Sequence, residues 1–356
     1  MTDPRDPSRR DFLAASAIGL IGLIGSSRSP VENDLLYVGT YTESNRPEGI
    51  YLVRMNPKSG ELSRISSMDA GPSPSFLAVH PSGRTLYAVN EVEIYGGRPT
   101  GAVSALAIDR ATGALTPLNQ QTSEGGAPCY VSVDRSGRVA LVANYAGGSV
   151  ALLPIQANGA LERAAHVVQH VGKGPNADRQ EAPHAHCILP DHSNRFALAA
   201  DLGVDRVLVY RLELGDGGKS LRRVAGADAV MRPGAGPRHL AFHPTLPLLF
   251  VANELDSTVA TLRFDAERGT LAPVDTQSTV PAGWTGTNYP ADIHVAASGR
   301  TLYVSNRGHN SIAVFSVAAS TGALALDQVV STEGDWPRNF TLHPSERWLL
   351  VANQRS

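Results

Sequence analysis

Short apolar runs alternate with turn residues from Leu35 to the end of the chain, and the runs come in pairs. In Gly236-Pro-Arg-His-Leu-Ala-Phe-His-Pro, continuing through Leu248-Leu-Phe-Val-Ala-Asn-Glu254, two apolar runs flank a His-Pro turn, the pattern of a two-stranded hairpin. The second run of each pair ends in a small polar residue: Thr40, Asn90, Asn144, Asp201, Asn253, Asn306 and Asn353. These positions are separated by 50, 54, 57, 52, 53 and 47 residues. A β-patterned period near 50 residues marks a propeller blade.

Each unit continues with a third run, as in Ala102–Ile108, Ser149–Ile155 and Ser311–Val317, and then a Thr-Gly-Ala-Leu type of turn into a fourth. Four strands per unit and seven units predict an all-β, seven-bladed β-propeller over residues 31–356. The residue before the hairpin turn (His80, Asp134, His243, Ala296 or His343) precedes its Asn by ten positions. Taking Leu189 and Pro190 as the fourth turn makes that unit two residues longer and predicts an expanded turn. The first unit opens at its second strand and the last stops after its second, so the expectation is an incomplete last blade and a ring with exposed strand edges.

Composition agrees with many turns and few helices: 34 Gly and 24 Pro stand against 4 Met. With 42% apolar and 18% charged residues and a net charge of −2, the chain reads as globular and carries no basic signal for nucleic acid. Cys129 and Cys187 form no metal motif and read as buried thiols. At the N-terminus, Ser8-Arg-Arg-Asp-Phe-Leu13 followed by an apolar stretch to Gly25 resembles a twin-arginine (Tat) export leader. Residues 1–30 are therefore set apart from the propeller, which is expected in the periplasm or outside the cell with no stable membrane anchor.

An antiparallel hairpin brings the start of strand one and the end of strand two to the same end, so all units converge on one mouth of the channel. After the strand-one Pro come Ser75, Cys129, His184, Arg238, Ala291 and Arg338; after the strand-two Asn come Tyr41, Glu91, Tyr145, Leu202, Glu254, Arg307 and Gln354. Positions shared by the copies read as scaffold, including the turn residues His80, His243 and His343. The deviating positions His184, His186, Arg238, His239, Glu254 and Arg307 read as chemistry. Arginines can clamp an anion and steady an oxyanion, and His or Glu can move a proton, which suits attack on an ester-like carbonyl. No H-E-x-x-H or paired C-x-x-C occurs, so neither metal nor other cofactor is indicated.

Leu36–Thr42, Val142–Ser149, Gly174–His186, Gly236–His239, Asn253-Glu254 and Ser305–Gly308 together resemble the propeller-type lactonases, which comprise the seven-bladed 6-phosphogluconolactonases and the related carboxy-cis,cis-muconate cyclase. The resemblance implies metal-free opening of a sugar lactone, a small-molecule substrate, and catalytic roles for His186, Arg238, Glu254 and Arg307. His184, His239, Arg338 and Asn253 are expected to bind substrate. Glu254 or His186 would activate water. An isomerase of the muconate-cyclase type and a non-catalytic binding propeller are the competing readings.

Overall fold

The computed structural model describes residues 22–24, 34–42, 47–215 and 218–356. The expected leader lies outside the described residues except for Gly22–Ile24. That segment is a short strand antiparallel to Asp34–Gly39, with Gly22 opposite Tyr37, so it occupies the inner position of the first sheet.

Among the described residues, seven sheets follow one another along the chain, six of four or more strands and a last one of two. Blade I adds Ile50–Met55 and Leu62–Met68; blade II starts at Leu77–Val79, blade III at Pro128–Val133 and blade IV at Ala185–Pro190. Blade V runs from Pro237–Phe242 to Thr270–Ser278, and blade VI from Tyr289–Val295 to Leu324–Ser331. Blade VII pairs Pro337–Leu342 with Leu349–Asn353. Among the described residues the sole helical element is a 3-10 turn at Leu202–Val204.

Second strands such as Val139–Asn144 and Leu248–Asn253 are buried along their whole length, which is why they read as continuous apolar runs rather than alternating ones. The outer strand Leu62–Met68 is largely exposed and polar. The core is therefore divided into apolar layers between neighbouring blades, such as Phe196, Leu198, Val207 and Val209 against Leu249, Val251 and Leu262. The ends of the ring meet as well. Leu350 packs with Leu36, Val53 and Met55, Trp348 Nε1 donates to the Pro57 carbonyl at 2.8 Å, and His343 Nε2 lies 2.8 Å from Asp34.

The repeated turn residues bind the next blade. His80 Nε2 lies 2.9 Å from the Gly137 carbonyl and His243 Nε2 lies 2.9 Å from that of Gly299. Gly137 has φ +71°, and a Cβ there would stand 2.3 Å from the His80 ring, so the position requires glycine twice over.

One expectation is corrected. The turn of the fourth unit is not expanded: Asp191, ten residues before Asp201, accepts the amides of Ser193, Arg195 and Phe196 as Asp134 accepts those of Ser136, Arg138 and Val139. Pro190 closes a strand, paired with Ala197, instead of opening the turn.

Candidate active site

The inner strands of blades III to VII slip register at the same height. Pro237 faces Asn253 and His239 faces Ala252, so Arg238 bulges out of the ladder. Cys129, His186 and Arg338 bulge in the same way in blades III, IV and VII, and Ala291 and Asp292 share the slip in blade VI. A bulge re-aims the side chain of its extra residue, here at the end of the strand where the units converge. His186, not His184, is therefore the counterpart of Arg238. The sequence count after Pro183 misses this because Ala185, two residues on, faces Asp201.

Glu254 is the hub. Its Oε2 lies 2.6 Å from Arg307 Nη2 and 3.0 Å from Arg238 Nε, and its Oε1 lies 2.6 Å from Arg179 Nη2. Arg238 is 1% exposed. Its Nε is close enough to Glu254 for an ion pair but is not aligned for a hydrogen bond, while its Nη1 donates to the Ala291 carbonyl at 2.6 Å. Arg307 Nε donates to the Tyr289 carbonyl at 3.2 Å. Burial opposes ionisation of Glu254, but Arg307, Arg238 and Arg179 outweigh it and hold the carboxyl well below the usual range. Burial, with Arg307 and Arg338 nearby, brings Arg238 down to about 9, which leaves it cationic at neutral pH.

Across the mouth Glu91 accepts a short hydrogen bond from Ser75 Oγ and pairs with Arg338 at 3.6 Å; Arg338 Nη2 also donates to Tyr41 Oη at 3.1 Å. Burial disfavours the Arg338 cation, but Tyr41 and Glu91 more than compensate and raise its pKa. A small cavity lies here, lined among others by Ser75, Glu91, Arg238, His239, Arg338 and Asn339.

The histidines differ. His186 Nδ1 is 3.5 Å from Cys129 Sγ, and burial, then Arg238 and His239, depress its pKa far enough to keep the ring neutral. His239 Nδ1 is 2.8 Å from Asp292 Oδ1. His184 stacks on Tyr145 with ring centres 4.5 Å apart, its Nδ1 3.1 Å from the Tyr145 carbonyl and its Nε2 3.0 Å from Glu181. Asn253 turns its amide to Thr258 Oγ1 at 2.9 Å, as Asn144 and Asn306 do toward Ser149 and Ser311, which is a blade-binding arrangement. His186, Arg238, Glu254, Arg307, His239 and Arg338 thus gather around one opening, His184 stands at its edge, and Asn253 serves the scaffold.

Copy comparison misses Arg179, which sits in a loop with no counterpart in the other units, although Gly174–His186 contains it. It also passes over Asp292, because the register slip moves it off the position counted from Pro290. Among the described residues, no group of three or more His, Cys, Asp or Glu side chains is placed to hold a metal ion.

Ring, channel and buried arginine cluster define a propeller protein with an arginine-rich mouth. The chain belongs to the seven-bladed β-propeller lactonase family, whose model matches residues 35–356, and it is a lactonase. It is 37% identical to a 6-phosphogluconolactonase of Bacillus subtilis over 90% of this chain and 88% of that one. A 6-phosphogluconolactonase of Formosa agariphila is 32% identical over 90% of each chain. The solved structure of a periplasmic gluconolactonase from Pseudomonas aeruginosa superposes with a TM-score of 0.82 at 32% identity, covering 90% of this chain and 88% of that one.

Proposed function

We propose that this lactonase hydrolyses a sugar lactone bearing an anionic or strongly polar group. The observation that carries this reading is the charge of the mouth: Arg179, Arg238, Arg307 and Arg338 face only two carboxylates, Glu91 and Glu254, leaving two positive charges in excess. Guanidinium groups bind phosphate or carboxylate bidentately and stabilise the oxyanion that forms when water attacks a lactone carbonyl. Glu254, held ionised by three arginines, is a weak proton acceptor and acts as the counter-ion that positions them. The water proton then goes to one of the two buried neutral imidazoles, His186 or His239. Side chains fill each of these roles, and the proposed reaction is metal-free. The names of the relatives support 6-phosphogluconolactone and gluconolactone as substrates to try first.

The test is acid release from those two lactones by the protein and by Arg238→Lys. Arg238→Lys loses one donor geometry while keeping the charge, and is expected to lower kcat by about 10²–10³. Absence of acid release from both lactones by folded protein overturns the reading. An absorbance change with carboxylated muconolactone and no acid would point to cycloisomerisation instead.

Export is also proposed, on the paired arginines Arg9 and Arg10 and the apolar stretch that follows them. Fractionation of cells should recover the activity outside the cytoplasm, with loss of export in an Arg9→Lys, Arg10→Lys double variant. Recovery of both forms in the cytoplasm would refute it.

A further inference from the structure

We propose that His239, oriented by Asp292, is the base that takes the proton from the attacking water, and that this water binds in the cavity between His239, Glu91 and the arginines. The inference rests on the hydrolytic reading above and names which imidazole performs its proton transfer.

The geometry supports His239 over His186. Asp292 is locked in place: besides His239 it accepts from Asn339 Nδ2 at 2.6 Å and from the amides of Ile293 at 3.0 Å and Phe340 at 3.1 Å, and His294 Nε2 lies 3.1 Å away. An ionised carboxylate only accepts, so Nδ1 of His239 carries the hydrogen and the lone pair is left on Nε2. Burial disfavours the Asp292 carboxylate, but His294 and the hydrogen bond from His239 outweigh it and keep the group ionised. His239 Nε2 is buried and has no hydrogen-bond partner among the described residues. An orphaned buried acceptor costs about 1–3 kcal/mol, so an unpaired ring nitrogen in a residue that lines a polar cavity needs a reason. Water supplies one, since an internal water requires polar partners and Ser75, Glu91, Arg238 and Arg338 line the same space. His186 has no such orienting partner: its Nδ1 neighbour is a thiol, a weak donor and acceptor that does not select a tautomer.

Several groups face the His239 ring. Asp292, itself paired with His294, approaches from blade VI, Arg238 from its own strand, Arg338 from blade VII and His186 from blade IV, with the two imidazole centres 5.4 Å apart. Tyr130 packs at 5.2 Å, and Glu91 and Cys129 line the same cavity. Burial, and then Arg238, bring His239 down to about 4 against the pull of Asp292, so the ring is neutral and able to accept a proton at pH 7. Base and oxyanion donor are then consecutive residues, His239 and Arg238, separated at the bulge.

The water oxygen forms a bond to the lactone carbonyl carbon as its proton moves to His239 Nε2, and the carbonyl electron pair shifts to the oxygen beside the arginines. Collapse breaks the ring C–O bond, and the departing alkoxide recovers the proton from His239. The hydroxy acid leaves with the atoms of one water added.

His239→Gln and Asp292→Asn are expected to lower kcat by about 10²–10⁴ with KM near wild type. Asp292→Asn should also alter the pH dependence of kcat/KM, which a merely structural contact between blades V and VI would not do. Near-wild-type kcat in His239→Gln, with the loss falling in His186→Gln or Glu91→Gln instead, overturns the assignment. Nitrogen-15 NMR of histidine-labelled wild-type protein needs no variant to fold: it should show His239 as the neutral Nδ1–H tautomer, and an Nε2–H tautomer overturns the proposal. Absence of lactone hydrolysis by the wild type would remove the hydrolytic reading itself, and the tautomer measurement separates the two failures.

Discussion

Glu91 and Glu254 hold the same position in two copies of one repeat. Each follows the Asn that ends a second strand, and each backbone amide bonds to a carbonyl ahead of strand one, Ser73 for Glu91 at 3.0 Å and Gly236 for Glu254 at 2.7 Å. Their surroundings differ. Glu254 meets three guanidinium groups at 3.0 Å or less, because Arg238 stands at its own bulge, Arg307 comes from the next blade and Arg179 reaches in from a loop. Glu91 has the hydroxyl of Ser75 and a single ion pair at 3.6 Å. Position in the repeat sets where a carboxylate stands; neighbouring blades decide what it does. Glu254 is a charge hub and Glu91 lines a cavity.

Breaking the hub should have the largest effect. Glu254→Gln leaves Arg238 and Arg307 buried without their counter-ion and is expected to destabilise the fold by about 3–5 kcal/mol, read by chemical denaturation, with activity lost. An unchanged midpoint would mean that the arginines relax to other partners.

Acid should act next, through the same contrast. Glu254 has a folded pKa below its unfolded value, so the stability it contributes is present above the ordinary carboxylate pKa of about 4.3 and is lost as pH falls below it. His239, lowered to about 4, adds a loss at higher pH: between about 6.5 and about 4 the unfolded chain binds the proton and the folded one does not. Unfolding curves collected from pH 7 to pH 3 should show stability falling through both windows. His239→Gln should make the upper one shallower only, since His186 is depressed as well and keeps its share; an unaltered upper window would assign it to His186 or another group.

Glu91→Gln should be the mildest change, costing about 1 kcal/mol because Ser75 and Tyr41 remain as partners for the amide and for Arg338. A cost equal to that of Glu254→Gln would erase the distinction between the two carboxylates.

Most of the fold and half of the candidate site are legible in the residues. Seven copies of an apolar pair ending in Asn, or its equivalent, predict seven sheets, since fully buried second strands leave continuous apolar runs. Arg238, Glu254 and Arg307 stand out because most other copies carry different residues there, Arg338 and Glu91 being the exceptions. His186 against His184 is not decided that way: proline faces the closing Asn in four units, but in blade IV the pairing with Asp201 begins at Ala185, two residues beyond Pro183. Arg179 and Asp292 are hidden for related reasons, one in a loop without a copy to compare and the other displaced by a register slip.

The chain by itself thus determined the repeat, the mouth toward which its units converge and the residue types gathered there, because local patterning and turn chemistry depend on neighbours in sequence. Tertiary structure alone decided which bulged side chain stands beside which carboxylate, that Glu254 is neutralised by three arginines, and that Asp292 orients His239 from 53 residues away. Those contacts run between blades, and one residue of register is enough to turn a side chain from the sheet into the channel.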